Sequence, residues 1–224
     1  MAARLHGIFA IAFVVFATFN LAFGGGRIAY DAARNEKIIT ELASYGAFTY
    51  FDVPFIVSPP LYFIIHSVPV ALFGGDQLVF RFTETLLYFL GAVLAFFILR
   101  ELGVSRRFSV LGFLLLLVDS QMFQIQAIDF WGAILLFSGL LLLFYVRLFK
   151  RPSLLNVILF GLLVGLSMLV KSSFIFLIIP LVVVYGLFYL GRKDGKRIGL
   201  LFVSLILGVA LYSPWMFYLT SNGF

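Results

Sequence analysis

Seven apolar runs of 17–20 residues, at 6–23, 82–99, 106–124, 130–146, 154–170, 173–190 and 198–217, recur along this chain of 224 residues. Each is long enough, or nearly so, to cross the ~30 Å hydrocarbon core of a bilayer as a helix. A soluble domain of similar size carries about 25% charged residues. Here charged residues make up 12% and hydrophobic ones 63%. The sequence therefore predicts an all-α polytopic membrane protein of seven transmembrane helices. The absence of cysteine excludes disulfides, thiolate metal sites and cysteine nucleophiles. The net charge of +6 is spread between the apolar runs and not gathered on a soluble surface. It therefore reports orientation and gives no sign of a nucleic-acid partner.

The short connections RELGVSRR (100–107), RLFKRPS (147–153) and GRKDGKR (191–197) are all basic. Placed in the cytoplasm with Arg4, they hold eleven of the sixteen Lys and Arg residues. Arg27, Arg34, Lys37, Arg81 and Lys171 remain outside or at the outer edge. The N-terminus is then cytoplasmic and the C-terminus external. The first run exceeds the 7–15 residues of a signal-peptide core and reads as an uncleaved anchor. The segment PPLYFIIHSVPVALFGG (59–75) is apolar but contains Pro69 and falls short of ~20 residues. Counting it as a span would also move 100–107 outside. It is predicted to lie along the external interface, with Tyr62 and His66 at that level. The chain thus reads as one transmembrane module, 1–224, whose first external loop covers 24–81 and contains interfacial amphipathic helices; no soluble domain is predicted.

Within that loop, DAARNEKIITELASY (31–45) predicts a short amphipathic helix. Ile38, Ile39 and Leu42 form its apolar face, Lys37 and Glu41 can pair, and Gly46 is a plausible stop. Asp31 falls at the helix start, where a carboxylate caps free N–H groups. A cap is a sufficient reason for Asp31, yet ordered loops this long usually bind or catalyse something. Asp129 opens the fourth run, Asp119 lies inside the third, and Lys171 stands between the fifth and sixth. A charge at mid-helix in lipid costs roughly 3 kcal/mol on insertion scales. A cap would account for Asp129 and snorkelling for Lys171. Taken together, Asp31, Asp129 and Lys171 all fall on the external side, as two acids and one base at one membrane face.

These residues stand in a recognisable order. YDAARNEKIITELASYGAF, followed by SPPLYFIIHSVPVALFGGDQLVFRF, resembles the N-terminal module of the protein O-mannosyltransferase and aminoarabinose-transferase enzymes, of the GT-C class of membrane glycosyltransferases. In that family an acid in a long first external loop precedes Pro-Pro-Leu, then Leu-Phe-Gly, then an Arg opening the next span. Here these are Asp31, Pro59-Pro60-Leu61, Leu72-Phe73-Gly74 and Arg81. Asp129 matches the family's second acid, GLLVGLSMLVKSSFIFLIIP (161–180) its Gly-rich span ending in Lys, and SPWMFYLTSNGF (213–224) its Pro-Trp segment. Two positions depart from the pattern. Many relatives have Asp-Glu where this chain has Asp31-Ala32. The aminoarabinose-type enzymes have Glu-Lys where this chain has Val57-Ser58, and that Glu is associated with a metal.

The resemblance implies sugar transfer from a polyprenyl-phosphate donor to a protein, lipid or glycan acceptor at the external face of the cell membrane, with inversion. It implies Asp31 as general base and Asp129 as a group that orients the acceptor or steadies positive charge on the sugar. Lys171 and Arg81 would bind the donor phosphate, with Arg34, Glu36, Asp119 and His66 as supporting residues. The resemblance leaves a divalent metal as an option that this sequence does not support, since Val57-Ser58 stands where the metal-associated Glu-Lys would be. Family enzymes usually continue with further spans, so a partner subunit completing the site is a further expectation. The alternative is a non-catalytic subunit, scaffold or transporter of the same fold, in which Asp119 lines a polar path.

Overall fold

The structure, a computed structural model, describes residues 2–23, 30–45, 58–118 and 131–221; in the first two helices the side chains described are 5–18 and 34–45. The described residues form α1 (Ala2–Phe23), α2 (Tyr30–Tyr45), α3 (Leu61–Phe73), α4 (Gln77–Glu101) and α5 (Arg106–Leu117). They continue as α6 (Trp131–Lys150), α7 (Leu154–Val170), a 3₁₀ turn (Ser172–Phe174), α8 (Ile175–Gly191) and α9 (Gly195–Ser221). Helices satisfy their own backbone polar groups, which is what a lipid environment demands. The chain divides into two compact units, Met1–Pro54 with Tyr62–Leu136, and Phe55–Leu61 with Phe137–Phe224.

Four described segments are long and apolar enough to cross a membrane: Gln77–Glu101, Trp131–Lys150, Ser172–Gly191 and Gly195–Ser221. Two of the other predicted spans fall on shorter apolar helices, Leu5–Thr18 of α1 and Leu154–Val170 of α7, and the third on the 12 residues of α5. The second half of the 106–124 run, with Asp119, lies outside the described residues. Large side chains such as Phe176, Val184, Leu187 and Leu190 of α8 point outward, as suits a surface solvated by lipid.

Three boundaries differ from the sequence reading. Helix α4 begins at Gln77, not 82, because the Asp76 carboxylate accepts the Leu78 N–H at 3.3 Å and caps it. Arg81 therefore lies inside the helix and does not open it. Helix α6 absorbs most of the predicted 147–153 connection, placing Arg147 and Lys150 in its last turn. Cations there meet the negative end of the helix dipole. The segment 59–75 does form a helix too short to span, 13 residues or about 20 Å. Its Tyr62 and His66, however, are fully buried in protein and do not sit at an exposed interface level. The His66 imidazole has polar partners inside the first unit, which the pattern of 59–75 alone does not reveal.

The first unit packs α1, α4 and α5 around Phe16, Tyr88, Phe89, Ala92, Phe96, Phe113 and Leu117. Phe9 meets Phe113 edge-on at 5.0 Å, and the Tyr88 hydroxyl donates to the Leu116 carbonyl at 2.9 Å. Lipid is as apolar as these side chains, so ring geometry and close contact hold the helices together where water exclusion cannot.

The second unit uses small residues for the same purpose. A Cβ placed on Gly161 would lie 2.6 Å from the Ser204 carbonyl oxygen, and one on Gly165 2.7 Å from that of Gly208. Helices α7 and α9 thus touch backbone to backbone, and the Ser204 hydroxyl donates across the seam to the Val157 carbonyl at 3.0 Å. Gly165→Ala should cost about 1–3 kcal/mol, because a backbone oxygen cannot yield without parting the helices. A thermal melt in detergent checks this, and an unchanged midpoint would mean the seam is looser than its distances indicate.

Candidate functional site

Gly74 and Asp76 set the geometry of the first unit's polar centre. Gly74 adopts φ +92°, a conformation that suits glycine, and its N–H bonds to the Val70 carbonyl at 2.9 Å. This tight turn folds α4 back beside α3 and brings His66 against Glu84. His66 Nε2 lies 3.0 Å from Glu84 Oε1, with both side chains at most 1% exposed. His66 Nδ1 lies 2.9 Å from the Tyr62 carbonyl oxygen, and the Tyr62 ring packs 4.3 Å from the imidazole. A carbonyl only accepts, so Nδ1 carries a hydrogen and Nε2 is the atom facing the carboxyl group. The other carboxyl oxygen, Oε2, accepts the Gly132 N–H at 2.9 Å. Gly132 lies in the first turn of α6, where helix N–H groups have no partner in their own helix. One carboxyl group thus joins three helices.

Around this centre, Arg81 sits one turn before Glu84 on α4 and is partly exposed. Helix α2 presents the expected face: Ile38, Ile39 and Leu42 are buried, and Lys37 pairs with Glu41 at 3.9 Å on the exposed side. Arg34 is exposed and Glu36 partly so. The Thr40 side chain lies 3.7 Å from where a Cβ on Gly75 would be, so α2 runs against the α3–α4 turn. The helix starts at Tyr30, which places Asp31 in its first turn and one residue inside it. The Asp31 side chain, Gly46, Asp119 and Asp129 lie outside what is described. Among the described residues no group of three or more His, Cys, Asp or Glu is placed to hold a metal. His66 and Glu84 supply two such ligands.

Lys171 belongs to the second unit. It ends α7 in an extended conformation, φ −156° and ψ 125°, with its N–H bonded to the Ser167 carbonyl at 3.0 Å. The next residue, Ser172, shares a hydrogen bond with the Tyr212 hydroxyl at 3.1 Å. Lys171 and two hydroxyl-bearing residues thus lie at this end of the unit, residue types able to donate to an anion. At the other end, Tyr189 donates to the Phe149 carbonyl at 2.8 Å, Arg197 donates to the Tyr189 hydroxyl, and Arg197 pairs with Asp194 at 3.2 Å. The connections after α6 and after α8 thus share one end of the unit. Lys171 is separated from that basic end by the 17 residues of α7 or α8, about 25 Å.

The structure therefore pairs His66 with Glu84, places Arg81 one turn away, and puts Lys171 beside Ser172 and Tyr212. Glu84, Ser172 and Tyr212 escape the sequence reading. For Glu84 the signal was present: RFTETLLYF places a carboxyl inside the 82–99 run, and the rule that singles out Asp119 applies equally there.

A family model described as dolichyl-phosphate-mannose-protein mannosyltransferase matches residues 57–218. The matched stretch contains Pro59-Pro60-Leu61, His66, Arg81, Glu84, Lys171 and Tyr212. No curated protein and no solved structure gives a significant match to the chain.

Proposed function

Because this chain belongs to the dolichyl-phosphate-mannose-protein mannosyltransferase family, we propose that it transfers a sugar from a polyprenyl-phosphate donor to an acceptor hydroxyl at the external membrane face. Membership brings a glycosyltransferase of the GT-C kind, a lipid-linked sugar donor and an acceptor. The direction of transfer, the side of the membrane and the residue roles are our reading. The observation that carries it is the 57–218 match, which covers most of the chain.

In this reading the acceptor oxygen attacks the anomeric carbon as the bond from that carbon to the phosphate oxygen breaks. The acceptor's proton passes to Asp31, and the electron pair of the breaking bond leaves with the polyprenyl phosphate. Attack opposite the leaving group inverts the anomeric centre. Asp31 lies in the first turn of α2, and a helix N-terminus favours the charged form of a carboxyl group, which makes a base held there a weak one. Positioning of the acceptor must then supply much of the rate. Asp129 orients the acceptor or steadies positive charge on the sugar ring.

A donor tail in the bilayer fixes its phosphate near the membrane edge. Lys171, at the unit's end away from the basic connections, meets it there with the Ser172 and Tyr212 hydroxyls, and Arg81 adds a second cation. Cations aimed at the leaving oxygen stabilise the charge that develops on it. The basic end faces the cytoplasm by the positive-inside rule, which turns Lys171 outward.

Lys171→Met should weaken binding of a polyprenyl-phosphate mannose by about 10–100-fold, the size of one lost charged hydrogen bond of ~1.5–3 kcal/mol. The melting temperature should hardly move. Titration of the labelled lipid into the purified protein checks both. Unchanged affinity would reduce Lys171 to a snorkelling side chain.

A further inference from the structure

We propose that Glu84, together with His66, is a positioning residue for sugar transfer, fixing the first turn of α6 against α3. This rests on the transferase reading above.

The geometry points to positioning for three reasons. An imidazole and a carboxyl group inside an apolar bundle are costly to desolvate, and apolar residues of similar size would pack there at least as well. Stability alone therefore gives no reason for it. Next, the pair ties three helices together. Glu84 Oε1 lies 3.0 Å from His66 Nε2 and Oε2 accepts the Gly132 N–H, while His66 Nδ1 donates to the Tyr62 carbonyl. Such a network admits one arrangement of three helices, where apolar packing admits many. Finally, position 132 is shaped for the contact: a Cβ there would lie 2.6 Å from the Glu84 carbonyl oxygen and closer still to its Oε2. The two segments so joined both bear on the proposed site. Helix α3 follows directly on the Pro59-Pro60-Leu61 motif, and the chain enters α6 two residues after Asp129.

The chemistry separates positioning from mere packing. Glu84→Gln keeps the network whole: the amide oxygen accepts from Gly132, and the amide N–H donates to a neutral His66 Nε2. The double variant His66→Leu with Glu84→Leu fills the space but leaves the Gly132 N–H without its acceptor. The double variant is expected to fold, with a melting temperature within a few degrees of the parent. Its kcat for mannose transfer from a polyprenyl-phosphate donor should fall at least tenfold, with the donor KM nearly unchanged. Glu84→Gln should recover kcat to within threefold.

A second readout needs no activity. Spin labels on cysteines at Phe73 and Trp131, both exposed and in a chain without native cysteine, report the distance between α3 and the start of α6. One narrow distance is expected in the parent and in Glu84→Gln, and a broad one in the double variant. Full transfer by the double variant, or a distance as narrow as the parent's, would overturn the proposal. Should the parent transfer no sugar at all, the transferase reading fails, and the distances alone then decide whether the pair fixes α6.

Discussion

Asp31→Asn is expected to lower sugar transfer by about 10²–10⁴-fold, the usual contribution of a general base. Its effect on stability should stay within about 1 kcal/mol, because an acid in the first turn gains only ~0.3–1 kcal/mol from the helix dipole. The amide has the carboxylate's shape but cannot take the acceptor's proton at neutral pH. The two readings of Asp31 therefore separate on one variant. A cap predicts neither loss. A base predicts lost transfer with an unchanged melting temperature. Transfer within a few-fold of the parent would return Asp31 to the role of a helix-terminal acid.

His66→Leu should be the most damaging single change to stability, at about 3–5 kcal/mol. The variant leaves the Glu84 carboxyl buried with the Gly132 N–H but without the imidazole that lies 3.0 Å away. Breaking such a pair costs more than never having it, because a buried polar group is left without its partner. Adding Glu84→Leu to His66→Leu should accordingly recover most of the loss. Melting temperatures of the parent and the two variants in one detergent check the sign of this coupling. Equal damage from the single and the double variant would mean that the lost stability is packing volume and not a stranded carboxyl group.

Much of the fold was legible because lipid imposes a simple rule on sequence. Apolar length and the placement of Arg and Lys predict where helices lie, and α4, α6, α8 and α9 follow those runs. The ends were less legible, since caps are local. Asp76 lengthens α4, and the dipole draws Arg147 and Lys150 into α6. The amphipathic α2 was readable from the spacing of Ile38, Ile39 and Leu42 together with the Lys37–Glu41 pair.

The polar centre was harder to read. His66 and Glu84 are eighteen positions apart on different helices, and only the Gly74 turn brings them together. Pairing across helices leaves no periodicity in the sequence, so His66 looked like an interfacial residue. Glu84 carried a usable signal, the cost of a carboxyl in an apolar run, but the sequence reading passed over it. Lys171 was visible as a charge between two spans, while its hydroxyl neighbour Tyr212, forty residues from Ser172, was not.

The most direct test of the proposed chemistry uses membranes from cells producing the parent chain, the Asp31→Asn chain, or neither. Each is given a polyprenyl-phosphate carrier labelled in its mannose, and the label leaving the lipid for acceptor is counted. The parent should transfer label well above the chain-free membranes, and Asp31→Asn should fall back to within a few per cent of them. Parent membranes that transfer no more than the chain-free ones would contradict the transferase reading.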